Sequence, residues 1–151
     1  MEESTSSTLK MKLHSRNFAA VSDGTKIAEL RLYDKKRQSL NLQSSIIFSD
    51  SSDENLKPVK VNVRGLLYFP SFRDVFSFIP GKWLGKSPRL KFMDENSCPD
   101  NANGYKKWYK KVDSLELHIK NAVLDELRGI YTPEQEKENG VIVIVLEREK
   151  F

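Results

Sequence analysis

Residues that build the common catalytic and metal sites are scarce in this chain of 151 residues. It has one cysteine, Cys98, and two histidines, His14 and His118. A lone cysteine excludes an internal disulfide and is typical of a reducing compartment. Structural zinc sites normally use four nitrogen or sulfur ligands, which these residues cannot supply. We therefore expect no metal site and no cofactor.

Sequence patterns of membrane proteins and of many enzymes are also missing. No apolar run approaches the ~20 residues of a membrane span, and no charged-then-apolar leader is present. The chain lacks a nucleophile elbow and a phosphate-binding glycine loop. Gly85-Lys86-Ser87-Pro88 matches only the last residues of such a loop. Adjacent carboxylates such as Asp125-Glu126 lie in polar stretches, where solvation explains them. These absences predict a protein that is not an enzyme and has no small-molecule substrate.

The longest apolar run, VIVIVL at residues 141–146, is short and rich in β-branched side chains. Such a run has no polar face, which favours a strand covered on both sides. Asn139-Gly140 before it is typical of a sharp turn. We predict a core strand here.

The remaining pattern predicts one α+β domain with an antiparallel β-rich core and two or three short helices. The length suits a single core. We expect a disordered tail over residues 1–8 and the domain over residues 9–151. Alternating apolar residues predict the other strands, at residues 9–13, 28–32, 40–48, 59–63 and 90–93. The first three of these strands are expected to form an antiparallel meander, with Asp23-Gly24 as a hairpin turn.

Capping residues predict short helices after Ser71 and after Thr132. Residues 94–104 have almost no apolar side chain and predict an exposed loop. Residues 113–128 fit two structures, because Leu115, Leu117 and Ile119 alternate as in a strand while a helical stripe also runs to Leu127. We expect a strand to about Ile119 and a helix to about Arg128, with the alternative open.

Positive charge is concentrated in residues 82–111, which carry eight basic and three acidic residues, a balance of +5 in a chain of net charge +4. Residues 105–111, YKKWYKK, add aromatic rings. Rings stack on unpaired bases with ~1–3 kcal/mol each, and lysines neutralise phosphates. The same composition suits lipid headgroups, or an edge whose rings enter the core. The predicted anion-binding residues are Lys82, Lys86, Arg89, Lys91, Tyr105, Lys106, Lys107, Trp108, Tyr109, Lys110 and Lys111.

The order of several segments resembles the rhabdovirus matrix proteins. The start of the folded core in that family is similar to three segments here, in this order: Val59-Lys60-Val61-Asn62-Val63-Arg64, a short aromatic-rich helix with Arg73-Asp74-Val75, and Trp83. The second half of that family is similar to four later segments: Tyr109-Lys110, Leu115-Glu116-Leu117, Asp125-Glu126 and a last strand that follows a glycine. The resemblance therefore covers residues 59–151. The chain lacks the lysine-rich arm and proline-rich budding motif of the family, and residues 9–48 have no counterpart.

The resemblance implies a non-enzymatic structural protein of the virion and host cytoplasm. Such a protein self-associates, binds a nucleoprotein–RNA complex and attaches peripherally to an anionic membrane during assembly. Bulky apolar residues around turns are the predicted self-association site: Phe69, Phe72, Phe76 and Trp83.

Two other functions fit the same residues. One is a small cellular module that stacks single-stranded nucleic acid on Tyr105, Trp108 and Tyr109. The other is a scaffold subunit of a larger complex. The direction of the Trp108 indole tests whether this segment binds at all. A ring turned inward removes the main binding residue, and a ring turned outward beside the four lysines requires a partner.

Overall fold

The VIVIVL run forms an interior strand of a five-stranded mixed sheet. The computed structural model describes residues 7–80, 83–84 and 95–148. Its strands lie in the order β1-β3-β4-β5-β2; β1 pairs with β3 in parallel, and the other three pairings are antiparallel. The strands are β1 (Thr8–Leu13), β2 (Ala28–Leu32), β3 (Ser45–Asp50), β4 (Val59–Phe69) and β5 (Val141–Arg148).

Both faces of β5 are buried, as the run of apolar residues predicts. Ile142 and Ile144 enter one core cluster, and Val141 and Val143 enter the other. Gly140 turns the chain into the strand with a φ of 70°, a conformation that favours glycine. The prediction of a turn followed by a core strand is confirmed.

Within the residues that the structure describes, four α-helices accompany the sheet, and three of them pack on its faces. They are α1 (Ser15–Ser22), α2 (Phe72–Val75), α3 (Ala102–Arg128) and α4 (Pro133–Asn139). Phe18 and Val21 of α1 pack into the cluster that contains Ile144. α2 and Leu127, near the end of α3, pack into the cluster that contains Val143. The chain is thus an α+β domain with a core on each side of one sheet.

Several local predictions are confirmed. The Ser71 hydroxyl accepts a hydrogen bond from the Asp74 N–H at 3.1 Å and begins α2. Thr132 and Gln135 form a capping box at the start of α4. The register of β4 against β5 shifts between Val63 and Gly65, so β4 has an irregularity of the β-bulge type next to this glycine.

The predicted antiparallel meander is wrong. Residues 15–22 form a helix, which carries the chain from β1 at one edge of the sheet to β2 at the other. Asp23-Gly24 therefore ends α1 and does not join two strands. This helix has eight residues and buries only Phe18 and Val21. Two apolar positions are too few to show the helical periodicity by which a helix is recognised in a sequence. Thr8, assigned to the tail, is the first residue of β1.

The strand predicted through Ile119 is also wrong, and the helical alternative is right. α3 has 27 residues, about 40 Å at 1.5 Å per residue, and its buried residues are Val112, Ile119 and Leu127. Asn101 caps its start, so the helix begins inside the predicted loop. Residues 95–101 of that loop are mostly exposed. The predicted strand at residues 90–93 lies outside the described residues.

None of the helices in the described ranges combines the length and the apolarity needed to cross a bilayer.

The two-sided burial of β5 predicts a large effect of truncation. Ile144 has no exposed surface, so Ile144→Ala is expected to lower the free energy of unfolding by about 2–5 kcal/mol. Leu42→Ala removes a mostly exposed side chain and is expected to change it by less than about 0.5 kcal/mol. Urea denaturation followed by circular dichroism measures both. Equal effects would contradict the assignment of β5 to the core.

Candidate functional site

A cleft of about 290 Å³ opens where the two edges of the sheet approach each other. The Arg31 Nη2 on β2 donates a hydrogen bond to the Lys12 carbonyl oxygen on β1 at 3.0 Å. Residues near the end of α3 form another wall. Apolar residues line much of the cleft, including Leu13, Leu30, Leu84, Val123 and Leu127.

Three charged side chains form a network in the wall of this cleft. Lys26 and Glu29 are only 6% and 7% exposed. The Glu29 Oε1 lies 3.5 Å from the Lys26 Nζ, and its Oε2 lies 3.1 Å from the Arg31 Nη2. Withdrawing charges from water costs several kcal/mol per ion, and pairing them repays that cost only when the geometry is excellent. The network therefore contributes little to the stability of the domain.

The turn after α1 positions Lys26. Gly24 has a φ of 82°, and the Lys26 N–H donates to the Ala20 carbonyl at 3.0 Å. The Asp23 carboxylate accepts hydrogen bonds from the hydroxyl and the N–H of Thr25, at 2.6 and 2.8 Å. These bonds favour the charged carboxylate and lower the pKa of Asp23 below its usual value.

β2 positions the other two residues of the charged network, Glu29 and Arg31. They lie two residues apart and therefore on the same side of the strand. Burial alone would lower the pKa of Arg31, but Glu29 and the neighbouring Tyr131 outweigh it and raise the pKa above its usual range. The guanidinium is therefore a permanent cation.

The cleft has an excess of cations and of hydrogen-bond donors. Lys12, Lys26 and Arg31 outnumber Glu29 and Glu126 among the charged lining residues. The Lys26 ammonium and the Arg31 guanidinium together have more N–H donors than the Glu29 carboxylate and the Lys12 carbonyl are able to accept. A ligand with negative charge and acceptor atoms suits this composition.

The aromatic residues predicted from YKKWYKK lie together on one face of α3. The ring of Tyr105 lies 6.2 Å from that of Trp108 and 6.0 Å from that of Tyr109, between centroids. Tyr105 and Tyr109 are 46% and 53% exposed. Trp108 is half-buried, and its Nε1 donates to the Asn96 carbonyl at 2.9 Å. The two tyrosines are therefore more available for stacking than the tryptophan.

The four lysines of this segment are all exposed. With 100° of rotation per residue, Lys106 lies nearest to the tyrosines and Lys107 lies opposite them, while Lys110 and Lys111 lie on the two flanks of the helix, about equally far from the rings. Within the part of the chain that the structure describes, none of the four forms an ion pair. The predicted residues Lys82, Lys86, Arg89 and Lys91 lie outside the described residues.

The structure corrects the predicted self-association site. Phe72 and Phe76 are 1% and 7% exposed and belong to the core, where they hold α2 against the sheet. Their spacing reflects the buried side of a short helix. Phe69 and Trp83 are half-buried and pack against the same core. For these two residues self-association stays a prediction.

Sequence analysis missed Lys26, Glu29 and Arg31. Glu29 and Arg31 alternate with apolar residues, a pattern that predicts an exposed strand face. Glu29 is nevertheless buried, which no local pattern indicates. His14 is exposed and lines the cleft. His, Cys, Asp and Glu within the described ranges form no group suited to a metal ion.

Two solved structures share this fold over almost the whole chain. The crystal structure of the hypothetical protein PH0355 has a TM-score of 0.58 and 22% identity, covering 94% of this chain and 99% of that one. The solution NMR structure of protein PF0455 from Pyrococcus furiosus has a TM-score of 0.50 and 20% identity, covering 95% and 99%. No family model and no curated protein matches the sequence. The comparisons show the fold, and the matrix-protein resemblance stays a prediction.

Removing the shared carboxylate tests the network. Glu29→Gln leaves Lys26 buried without a counter-charge, so we expect the free energy of unfolding to fall by about 3–5 kcal/mol. Adding Lys26→Met removes the unpaired charge and should restore part of the stability. Denaturant unfolding of both single variants and the double variant gives the coupling. Strictly additive effects would show that the two side chains do not interact.

Proposed function

We propose that this protein binds single-stranded nucleic acid and holds one unpaired nucleotide in the cleft between β1 and β2. The network of Lys26, Glu29 and Arg31 in the wall of the cleft is the observation that carries this proposal. A domain of this size gains little stability from buried ions, so a role in recognition explains the network better.

The lining of the cleft suits the parts of a nucleotide. Apolar side chains and the ring of Tyr131 offer surface to the flat faces of a base. A base edge carries both donors and acceptors, which pair with a carboxylate such as Glu29 and with cations such as Lys26. The excess positive charge suits a phosphate. A volume of about 290 Å³ lies at the lower end for ligand pockets, so it accommodates one such unit.

Single strands fit this cleft better than duplexes. A base within a duplex is stacked and paired, and entering a pocket costs a few kcal/mol of unpairing energy. An unpaired base is free to enter and expose its edges. Preference for single strands is therefore part of the proposal. That the protein binds the strand without transforming it stays a prediction.

Two observations support this proposal over the predicted matrix role. Phe72 and Phe76, two of the four residues predicted for self-association, are buried in the core. A nucleic-acid-binding module needs exposed cations and rings, which α3 has at Lys106, Tyr109 and Lys110.

Charge reversal at the cleft gives a direct test. Lys12 is exposed on β1 and lines the cleft, whereas Lys10 is exposed on the same strand but lies outside it. We expect Lys12→Glu to weaken binding of a labelled ten-nucleotide single strand by about tenfold or more, because a cation at the cleft becomes an anion. Lys10→Glu is the matched control and should weaken it by less than about threefold. Fluorescence anisotropy at several salt concentrations measures both.

The same titration includes RNA and DNA single strands and a duplex of the same sequence. Affinity for the single strands should fall as salt rises, because binding releases counterions. A duplex that binds as tightly as the single strand, or equal effects of the two variants, would overturn the proposal.

A further inference from the structure

We infer that the cleft selects guanine, and that the Lys26 ammonium and the Arg31 guanidinium recognise its two adjacent acceptors, O6 and N7. The inference rests on the proposed function and deepens it, because it names the base that enters the cleft and the atoms that are read. It concerns the buried wall of the cleft, whereas Lys12 is an exposed residue of its lining.

The ammonium of Lys26 is buried, and its hydrogen-bonding capacity is unused. The side chain is 5% exposed, and its ion-pair partner, the Glu29 Oε1, lies at 3.5 Å, beyond the usual N–H···O distance of about 2.7–3.2 Å. None of its three donors forms a hydrogen bond with a described residue. Among those residues, only the Ser22 Oγ and the Arg37 Nε are fully buried side-chain atoms without a hydrogen bond. The Lys26 Nζ therefore borders the open space of the cleft.

The backbone around Lys26 is fixed on both sides. Its N–H donates to the Ala20 carbonyl at 3.0 Å, and the residue forms an antiparallel bridge with Leu84. Next to this bridge the Ile27 N–H donates to the Trp83 carbonyl at 2.8 Å. Because the backbone holds the side chain in the wall of the cleft, an acceptor on a bound ligand is a suitable partner for the ammonium.

The acceptors of the wall are largely in use. The Glu29 Oε1 accepts from the Leu30 N–H at 3.2 Å and faces Lys26, and its Oε2 accepts from the Arg31 Nη2 at 3.1 Å. These contacts occupy three of about four acceptor positions of a carboxylate. The Arg31 Nη2 also donates to the Lys12 carbonyl, and the Arg31 Nε and Nη1 carry further donors. A ligand that brings acceptors therefore suits this wall better than one that brings donors.

A base reaches the buried wall more easily than a phosphate of the same strand does. The backbone continues on both sides of a nucleotide, so an internal phosphate stays at the mouth of a cleft, whereas the base projects from the backbone and enters. A phosphate beside Glu29 would also meet a like charge, and like charges repel strongly in a buried site. A neutral base with acceptors pairs with the cations without this repulsion.

Guanine is the base whose edge matches a wall of donors. Its major-groove edge has two adjacent acceptors and no donor, and lysine and arginine are the residues that commonly pair with them. On the same edge adenine and cytosine present an amino group, and thymine presents one acceptor beside its methyl group. Every Watson–Crick edge carries at least one donor, which would face the two cations. An unpaired guanine is free to present the edge that fits.

Tyr131 gives the base a firm surface beside these donors. Its ring stacks on that of Phe72, with 5.6 Å between centroids and 19° between planes, and Phe72 is only 1% exposed. The ring is therefore supported from behind. Tyr131 also lines the cleft and neighbours Arg31. A base that lies on this ring has an edge within reach of the guanidinium.

Strands that carry a single base test the selection. Each is a labelled ten-nucleotide strand with guanine, adenine, cytosine or thymine at one central position and abasic residues elsewhere, so that no other base competes for the cleft. Fluorescence anisotropy with the wild-type protein gives the affinities. We expect the guanine strand to bind about fivefold or more tightly than the other three. Equal affinities, or a preference for another base, would overturn the inference.

Two analogues of guanine identify the edge that is read. 7-Deazaguanine lacks the N7 acceptor and should bind about threefold or more weakly than guanine. Hypoxanthine keeps O6 and N7 and lacks only the 2-amino group, so it should bind within about twofold of guanine. The reverse order would show that the Watson–Crick edge is recognised and would contradict the inference. The protein is the same in every titration, so its folding does not affect the comparison.

A variant of the donor tests the role of Lys26. Lys26→Met leaves Glu29 paired with Arg31, and the ratio of guanine to adenine affinity should fall below about twofold. Lys10→Met, which lies outside the cleft, should keep the wild-type ratio. A general loss of structure would weaken both strands alike, so the ratio reports recognition. An unchanged ratio in Lys26→Met would rule out the proposed role of Lys26.

The outcomes separate this inference from the proposed function. If Lys12→Glu weakens binding of single strands and the four bases bind alike, the proposed function stands and the selection of guanine fails. If a fully abasic strand binds as tightly as the guanine strand, the contacts are made to phosphates and the inference fails. If no single strand binds the wild-type protein, both fail.

Discussion

Burial of both faces of β5 is the constraint on which the rest of the structure depends. A strand of Val and Ile on both sides needs an apolar cover on each, and a short chain has few residues to provide two covers. α1 supplies one with Phe18 and Val21, while α2 and the end of α3 supply the other. The chain therefore places helices on both sides of one sheet, and the order of its elements follows from this need.

Charged groups are buried at the cleft, where the edges β1 and β2 of the sheet approach each other. Edge strands expose unpaired backbone groups, and charged side chains commonly protect them. Arg31 does so by donating to the Lys12 carbonyl. Glu29 and Lys26 are then enclosed with it, at a desolvation cost that the packing of the domain does not require.

Local chemistry was predictable from sequence, and long-range pairing was not. VIVIVL, the Ser71 cap and the Thr132 capping box each depend on residues within a few positions of one another, and each was predicted. The parallel pairing of β1 with β3 depends on where α1 leads the chain, and that helix buries only Phe18 and Val21. The cleft was missed for a similar reason, because residues from distant parts of the chain line it.

The energetics of α3 argue for a partner. Lys106 and Lys110, and likewise Lys107 and Lys111, are like charges four residues apart, each pair destabilising a helix by ~0.2–0.5 kcal/mol. The positive end of the helix dipole adds to this repulsion, and the first turn has no acidic residue to offset it. Trp108, tied to the Asn96 carbonyl, helps to hold this half of the helix in place. A polyanion bound beside these lysines would relieve the repulsion, which agrees with the proposed binding of nucleic acid.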